Sequence, residues 1–354
     1  MKAKTLFLVI AFLSTAVFSQ NGNNATSKFD FIPGEKVIFY DDFTSESLGD
    51  FPALWLTNGS GEIVTSDKFD GKWFQLSKTG YYIPEAKENL TDNYTIEFDL
   101  VILGEQSSET YINIDMFLLS DDITNPSGGG QPGVAGLRIH PDYGTIFWNN
   151  WSEAREWQGE EGQVDFMFKT STIYHMAFWI QKQRVRLYAN NQKILDLPRG
   201  LQANYIYNQF RIENSSEETT SLISNFRIAA GLPDMRSKLM TEGKLISYGI
   251  YFDVNSDKLK PESTATLKEI AQVLKDNPTV KISIVGHTDS DGDDASNLDL
   301  SKRRAGSVKA ELTNAYGIEA SRMEIDGKGE SQSLVPNDNA LNKAKNRRVE
   351  FIKQ

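Results

Sequence analysis

Gly286-His287-Thr288-Asp289-Ser290-Asp291-Gly292 interrupts an alternating text. An apolar run, Val280 to Val285, precedes it, and a helical pattern with Ala305, Val308 and Leu312 inward follows. Strand, polar loop and helix in that order read as one step of a βαβ unit. Working outward, Ile246 to Asp253 is strand-like, and Pro261 suits the first turn of a helix carrying Leu267, Ile270, Ala271 and Leu274. Asn277-Pro278 ends that helix and Gly317 stops the next. Met323 to Asp326 is a further strand, and a short polar helix at Leu341 to Lys345 leads to a closing strand through Val349 and Phe351. The stretch 244–354 is therefore expected to be an α+β domain of βαβαβ type, with Phe252, Leu300 and Val349 in its core.

Upstream the period changes to two. Tyr94 to Leu100, Ile112 to Phe117 and Arg184 to Tyr188 alternate apolar and polar residues, which predicts antiparallel sheet. Asn190-Asn191 separates two such runs and predicts a hairpin with a left-handed tip, which Asn tolerates. The expectation for 36–230 is an all-β jelly-roll sandwich, with 20–35 a polar lead-in and 231–243 a short linker.

At 354 residues, two domains are a natural reading. Residues 1–19 read as an export signal: Lys2 and Lys4 precede the apolar run Leu6 to Val17, with cleavage expected before Gln20. That run is shorter than the roughly 20 residues a membrane span needs, and nothing later in the sequence reads as one. There are no cysteines, so no disulfide, no thiolate metal site and no N-terminal cysteine to carry lipid. A net charge of −11 argues against a nucleic-acid partner. From Thr241 onward 17 basic residues face 18 acidic ones, leaving 20 against 30 upstream, so two different surfaces are expected to meet two different partners.

Four stretches of the last third resemble the OmpA-like peptidoglycan-binding domain. They are Gly249-Ile250-Tyr251-Phe252-Asp253-Val254-Asn255-Ser256, the loop 286–292, Asn297-Leu298-Asp299-Leu300-Ser301-Lys302-Arg303-Arg304-Ala305, and Asn346-Arg347-Arg348-Val349-Glu350. The resemblance implies binding of the diaminopimelate of a peptidoglycan stem peptide, with Asp289 and Arg304 holding the ligand. The chemistry agrees: an ammonium and carboxylates need one anion and one bidentate cation placed close together. Thr288 and Asn297 are expected to complete the polar lining, a helix starting near Ser301 to add its N-terminal N–H groups, and Arg347 to assist, while alternation turns Arg348 away. The acidic loop 289–294 and the Asp253-x-Asn255-x-Asp257 spacing suggest a hard cation. Neither has Gly at its sixth position with Glu at its twelfth, so no metal and no cofactor are expected.

Tyr40-Asp41-Asp42-Phe43, Arg186 to Lys193 and Ile223 to Ala229 are similar to concanavalin-like and LamG-like jelly rolls, a class that includes lectins, adhesion modules and glycan-cleaving enzymes. A laminarinase-type catalyst needs E-x-D-x-x-E, and Glu97-Phe98-Asp99-Leu100-Val101-Ile102 lacks the second Glu. His140, His175 and His287 stand near no serine nucleophile motif. The expected function is a non-catalytic envelope protein, exported to the periplasm, tethered to peptidoglycan and presenting a sandwich that binds glycan or an envelope protein. Trp148, Trp151 and Trp157 are the expected glycan platform. The alternatives are a periplasmic glycan hydrolase localised by the wall-binding domain, and a purely structural spacer.

Overall fold

The computed structural model describes residues 29–354 except 89, 91, 106–111, 113, 143, 216–218 and 233. The export signal expected at 1–19 lies outside the described residues, as does 20–28.

The first strands are β1 (Lys36–Asp41), β2 (Trp55–Thr57), β3 (Gly61–Thr65), β4 (Lys72–Leu76), β5 (Gly80–Pro84), β6 (Asn93–Leu103), β7 (Ile114–Ser120) and β8 (Ala135–Asp142). They continue with β9 (Thr145–Ser152), β10 (Glu161–Asp165), β11 (Ile173–Gln181), β12 (Arg184–Ala189), β13 (Gln192–Leu197), β14 (Gln209–Asn214) and β15 (Thr220–Ala230). One sheet runs β13-β12-β11-β6-β15-β4-β3 with β1 also on β15, and the other runs β10-β9-β8-β7-β14-β5-β2. Neighbouring strands in both are antiparallel, and the two inner faces share one core. This is the expected two-sheet sandwich.

Alternation decides what each face carries. On β6, Tyr94, Ile96, Phe98 and Leu100 point inward, where Phe98 lies 6.4 Å from Phe178, 5.9 Å from Phe210 and 5.5 Å from Phe226. Such ring pairs add about 0.5–1.5 kcal/mol each beyond burial. Thr95, Glu97 and Asp99 take the opposite face. The predicted hairpin joins β12 to β13, with Ala189 opposite Gln192 and Asn190 at φ 53°.

The second domain contains α1 (Met235–Met240), β16 (Lys244–Ser247), α2 (Thr264–Asp276), β17 (Ile282–His287), α3 (Asp294–Asn314), β18 (Met323–Gly329), α4 (Ala340–Asn346) and β19 (Val349–Lys353). Its sheet order is β16-β19-β17-β18, with β17 and β18 parallel and β19 antiparallel to β16 and β17. α2 buries Leu267, Ile270, Ala271 and Leu274 as its spacing predicts. Burying each Leu or Ile contributes about 1.5–3 kcal/mol.

Several expectations need correction. The stretch 231–243 holds α1, whose Met235 and Leu239 enter the second core. The strand expected to run to Asp253 ends at Ser247, and Leu300 is only half-buried. Helix α3 starts at Asp294 rather than near Ser301, because the Asp293 carboxylate accepts the N–H of Ser296 at 3.0 Å and caps it there. Its buried stripe opens on Asn297 and Ser301 before Ala305, so apolar residues alone placed the start too late. The lead-in is also built into the fold: Phe29 and Phe31 pack with Tyr188, while Ile32 packs on the second core.

The two domains meet across the outer face of the eight-stranded sheet. There the Glu97 carboxylate accepts the Tyr251 hydroxyl, and Arg227 donates to the carbonyl of Tyr248 at 3.2 Å and the hydroxyl of Tyr251 at 3.3 Å.

Candidate functional site

β17 and β18 run parallel, and α3 crosses their ends closely enough that two glycines are required. A Cβ on Gly286 would sit 2.1 Å from the Ser301 carbonyl oxygen, and one on Gly327 would sit 2.5 Å from the Lys302 nitrogen. That approach lays the Asn297–Arg304 stretch of α3 beside the loop leaving β17. The loop is tied at its start, where Thr288 N–H donates to the Gly329 carbonyl at 3.0 Å.

Asp289 is buried on this loop. One of its oxygens accepts the Asp291 N–H at 3.2 Å, and the other accepts Arg347 Nη1 at 2.6 Å. Arg347 follows α4 directly, which brings it from 58 residues away. Arg304 lies on α3, its guanidinium 4.9 Å from the Phe252 ring centroid and its Nε donating to the Ser256 carbonyl at 3.0 Å. Among the described residues its two terminal nitrogens take no hydrogen bond or ion pair. Burial lowers the Arg304 pKa, with Asp289 opposing and Arg347 adding to the effect. The site therefore offers one anchored carboxylate and one guanidinium whose outer nitrogens are free for a bidentate ligand.

The other expected lining residues divide. Asn297 is buried and donates its amide to the Asp291 carbonyl at 3.1 Å and to Glu330 at 2.8 Å, so it pins the loop from behind. Thr288 is buried with its hydroxyl unpartnered among the described residues. Arg348 points away, as alternation requires, and donates to Glu350 at 2.8 Å. The helix N–H groups expected from Ser301 are absent from the site, since Ser301 lies two turns inside α3. Lys343 was not anticipated: it closes the loop by donating to Asp291 at 2.6 Å.

Two further participants come from the sandwich. Arg347 lies 5.0 Å from the Tyr40 ring centroid, and its Nη2 is 3.5 Å from Asp42 Oδ2. No spacing rule connects positions 300 residues apart, and Tyr40-Asp41-Asp42-Phe43 carried meaning in the sequence only as sandwich text.

The expected tryptophan platform does not form. Trp151 is fully buried against Phe117 and donates to the Pro132 carbonyl at 3.3 Å. Trp148 lies on the other face of β9, packed on the core, and Trp157 alone is exposed, at 47%. Alternation along one strand sends 148 and 151 to opposite faces. The sandwich instead has a cleft of about 500 Å³, lined by Leu56, Tyr81, Ile83, Ile123, Thr124 and Asn208 among others. Tyr81 stacks on Arg211 at 4.5 Å beside it.

Glu97 and Asp99 are buried and face His175, at 3.4 and 3.0 Å. Burial alone would raise both carboxyls, yet Arg227 and His175 hold Glu97 below the usual range, and His175 does so for Asp99. The His175 imidazole is pushed up to about 10: burial lowers it, and the two carboxylates more than reverse that. Both carboxylates are buried, and Glu97 is used in docking the second domain through Tyr251. Among the described residues no cluster of metal-ligating side chains occurs, and no helix is long and apolar enough to cross a membrane.

A family profile described as "OmpA family" matches residues 251–347. Outer membrane porin F of Pseudomonas aeruginosa is 41% identical over 105 residues, covering 30% of this chain and 30% of that protein. Probable lipoprotein YiaD of Escherichia coli is 41% identical over 102 residues, covering 29% and 46%. The chain thus spans less than half the length of either relative. A crystal structure of the peptidoglycan-associated lipoprotein from Burkholderia pseudomallei is 31% identical and covers 30% of this chain and 88% of that one, with a TM-score of 0.28. The segment 251–347 is an OmpA family domain.

Proposed function

We propose that this protein is a non-catalytic component of a bacterial envelope, exported to the periplasm, that binds peptidoglycan through the diaminopimelate of the stem peptide. One observation carries the reading: Asp289 and Arg304 lie near enough for their charges to interact, the first anchored and the second with its outer nitrogens uncommitted. Asp289 receives the ligand ammonium and Arg304 a carboxylate, with the Thr288 hydroxyl as a neutral partner. Membership of the 251–347 segment in the OmpA family supports this, as do relatives named as outer-membrane proteins.

In this reading the sandwich binds glycan or an envelope protein, and the cleft beside Tyr81 takes the place assigned in the sequence to the tryptophans. The burial of Glu97 and Asp99 beneath the second domain disfavours the hydrolase alternative, because a glycosidase needs its carboxylates facing the sugar.

The test is calorimetric titration of the full chain with soluble muropeptide containing diaminopimelate, beside Asp289→Ala and Arg304→Ala. Each substitution is expected to weaken binding at least tenfold, as loss of a charge-assisted contact of about 1.5–3 kcal/mol requires. Wild-type protein that does not bind, or variants that bind as well as it does, would overturn the assignment.

A further inference from the structure

Arg347 is shared between the two domains. Its Nη1 is 2.6 Å from Asp289, its plane lies over the Tyr40 ring at 5.0 Å, and its Nη2 approaches Asp42 Oδ2 at 3.5 Å. That Nη2 is buried without a hydrogen-bond partner among the described residues, so Tyr40 and Asp42 are its near surroundings. Both sandwich residues are themselves fixed. Asp42 Oδ1 accepts the hydroxyl of Thr44 at 2.7 Å, and the Tyr40 hydroxyl donates to Asn225 at 3.2 Å. Asn225 in turn donates to Asp99 at 2.8 Å, within the buried cluster that docks the domains.

We propose that Tyr40 and Asp42 are positioning residues of the wall-binding site, a role that rests on the wall-binding reading above. An arginine is long and flexible, and an ion pair on one side alone leaves its plane free to turn. The Tyr40 face and the Asp42 carboxylate close the other side, so Arg347 stands as a strut that orients Asp289 before ligand arrives. With Arg347 committed to two carboxylates, Arg304 is the guanidinium left for the ligand carboxylate. The wall-binding site of this protein is accordingly built from both domains, and the sandwich sets its affinity.

The experiment is the same titration of the full chain with diaminopimelate muropeptide, using Tyr40→Leu, Tyr40→Phe, Asp42→Ala, Tyr251→Phe and Arg304→Ala. Tyr40→Leu is expected to weaken binding about five- to tenfold, the worth of a desolvated cation–ring contact, and Asp42→Ala about threefold. Tyr40→Phe keeps the ring face and recovers most of the affinity. Tyr251→Phe cuts the domain contact away from the site and binds as wild type does. If Arg304→Ala abolishes binding while Tyr40→Leu and Asp42→Ala bind as tightly as wild type or tighter, the positioning role is wrong and the wall reading stands. A loss in Tyr251→Phe equal to that in Tyr40→Leu assigns the effect to general loosening and also overturns the role. If Arg304→Ala binds normally, the wall reading itself fails.

Discussion

His175→Gln should flatten the alkaline pH dependence of the sandwich's stability. His175 sits on β11 between Glu97 and Asp99 of β6, with Arg227 of β15 on the far side of Glu97 and the Tyr251 ring 5.8 Å away. Its pKa moves from 6.5 to about 10, burial opposing and the hydrogen bonds that the Asp99 and Glu97 carboxylates accept, with their charges, more than offsetting it. At about 1.4 kcal/mol per pH unit, that shift corresponds to on the order of 5 kcal/mol of differential interaction. Because the folded value lies above the unfolded one, the contribution is complete below pH 6.5 and disappears as pH rises through about 10. All six tryptophans lie in the sandwich, so their emission during urea unfolding reports this domain. Between pH 6.5 and 10 the wild type is expected to lose about 5 kcal/mol more than the variant, while the variant starts lower at pH 6.5. Parallel midpoints for the two proteins across that window would refute the buried imidazolium.

Gly286→Ala is expected to cost about 1–3 kcal/mol and to weaken muropeptide binding as well, since the new Cβ would stand 2.1 Å from the Ser301 carbonyl and push α3 off the strand. Thermal unfolding and titration of the same variant check both; unchanged values would mean α3 does not need that approach. Trp151→Ala should destabilise the sandwich by about 3–5 kcal/mol through the cavity it leaves, whereas Trp157→Ala should stay within about 0.5 kcal/mol. Urea unfolding distinguishes them, and equal losses would contradict the opposite placements of these rings.

The second domain was readable because its signals are local. Strand, loop and helix follow one another within a few tens of residues, and the motif stretches converge where a parallel strand pair ends. What escaped is polar or distant. The start of α3 was missed because its buried positions begin with Asn297 and Ser301, which look like surface in a sequence. The tryptophans misled for the opposite reason: nearness along the chain suggested one surface, and a strand divides such neighbours between two. Lys343, Tyr40 and Asp42 reach the site only through tertiary packing, and charged or aromatic residue types alone do not say which distant partner they meet.

The Glu97-x-Asp99 text shows how a partial motif acquires a different use. Read along the chain it is an incomplete glycosidase signature; in the fold, the same alternation turns both carboxylates outward from the sheet and under the second domain. Burying two carboxylates there would be prohibitive by itself. His175 and Arg227 bring two positive charges to the same place, so the cluster is close to neutral, and Tyr251 and Asn225 supply hydrogen bonds to the oxygens. Neutrality of that kind requires a protonated His175, which ties docking of the domains to one imidazole. Asn225 extends the network to Tyr40, and Tyr40 holds the guanidinium of Arg347. The docking cluster and the Arg347 strut are therefore joined through Asn225 and Tyr40 in one continuous face, and its imidazole loses its proton as pH rises through about 10.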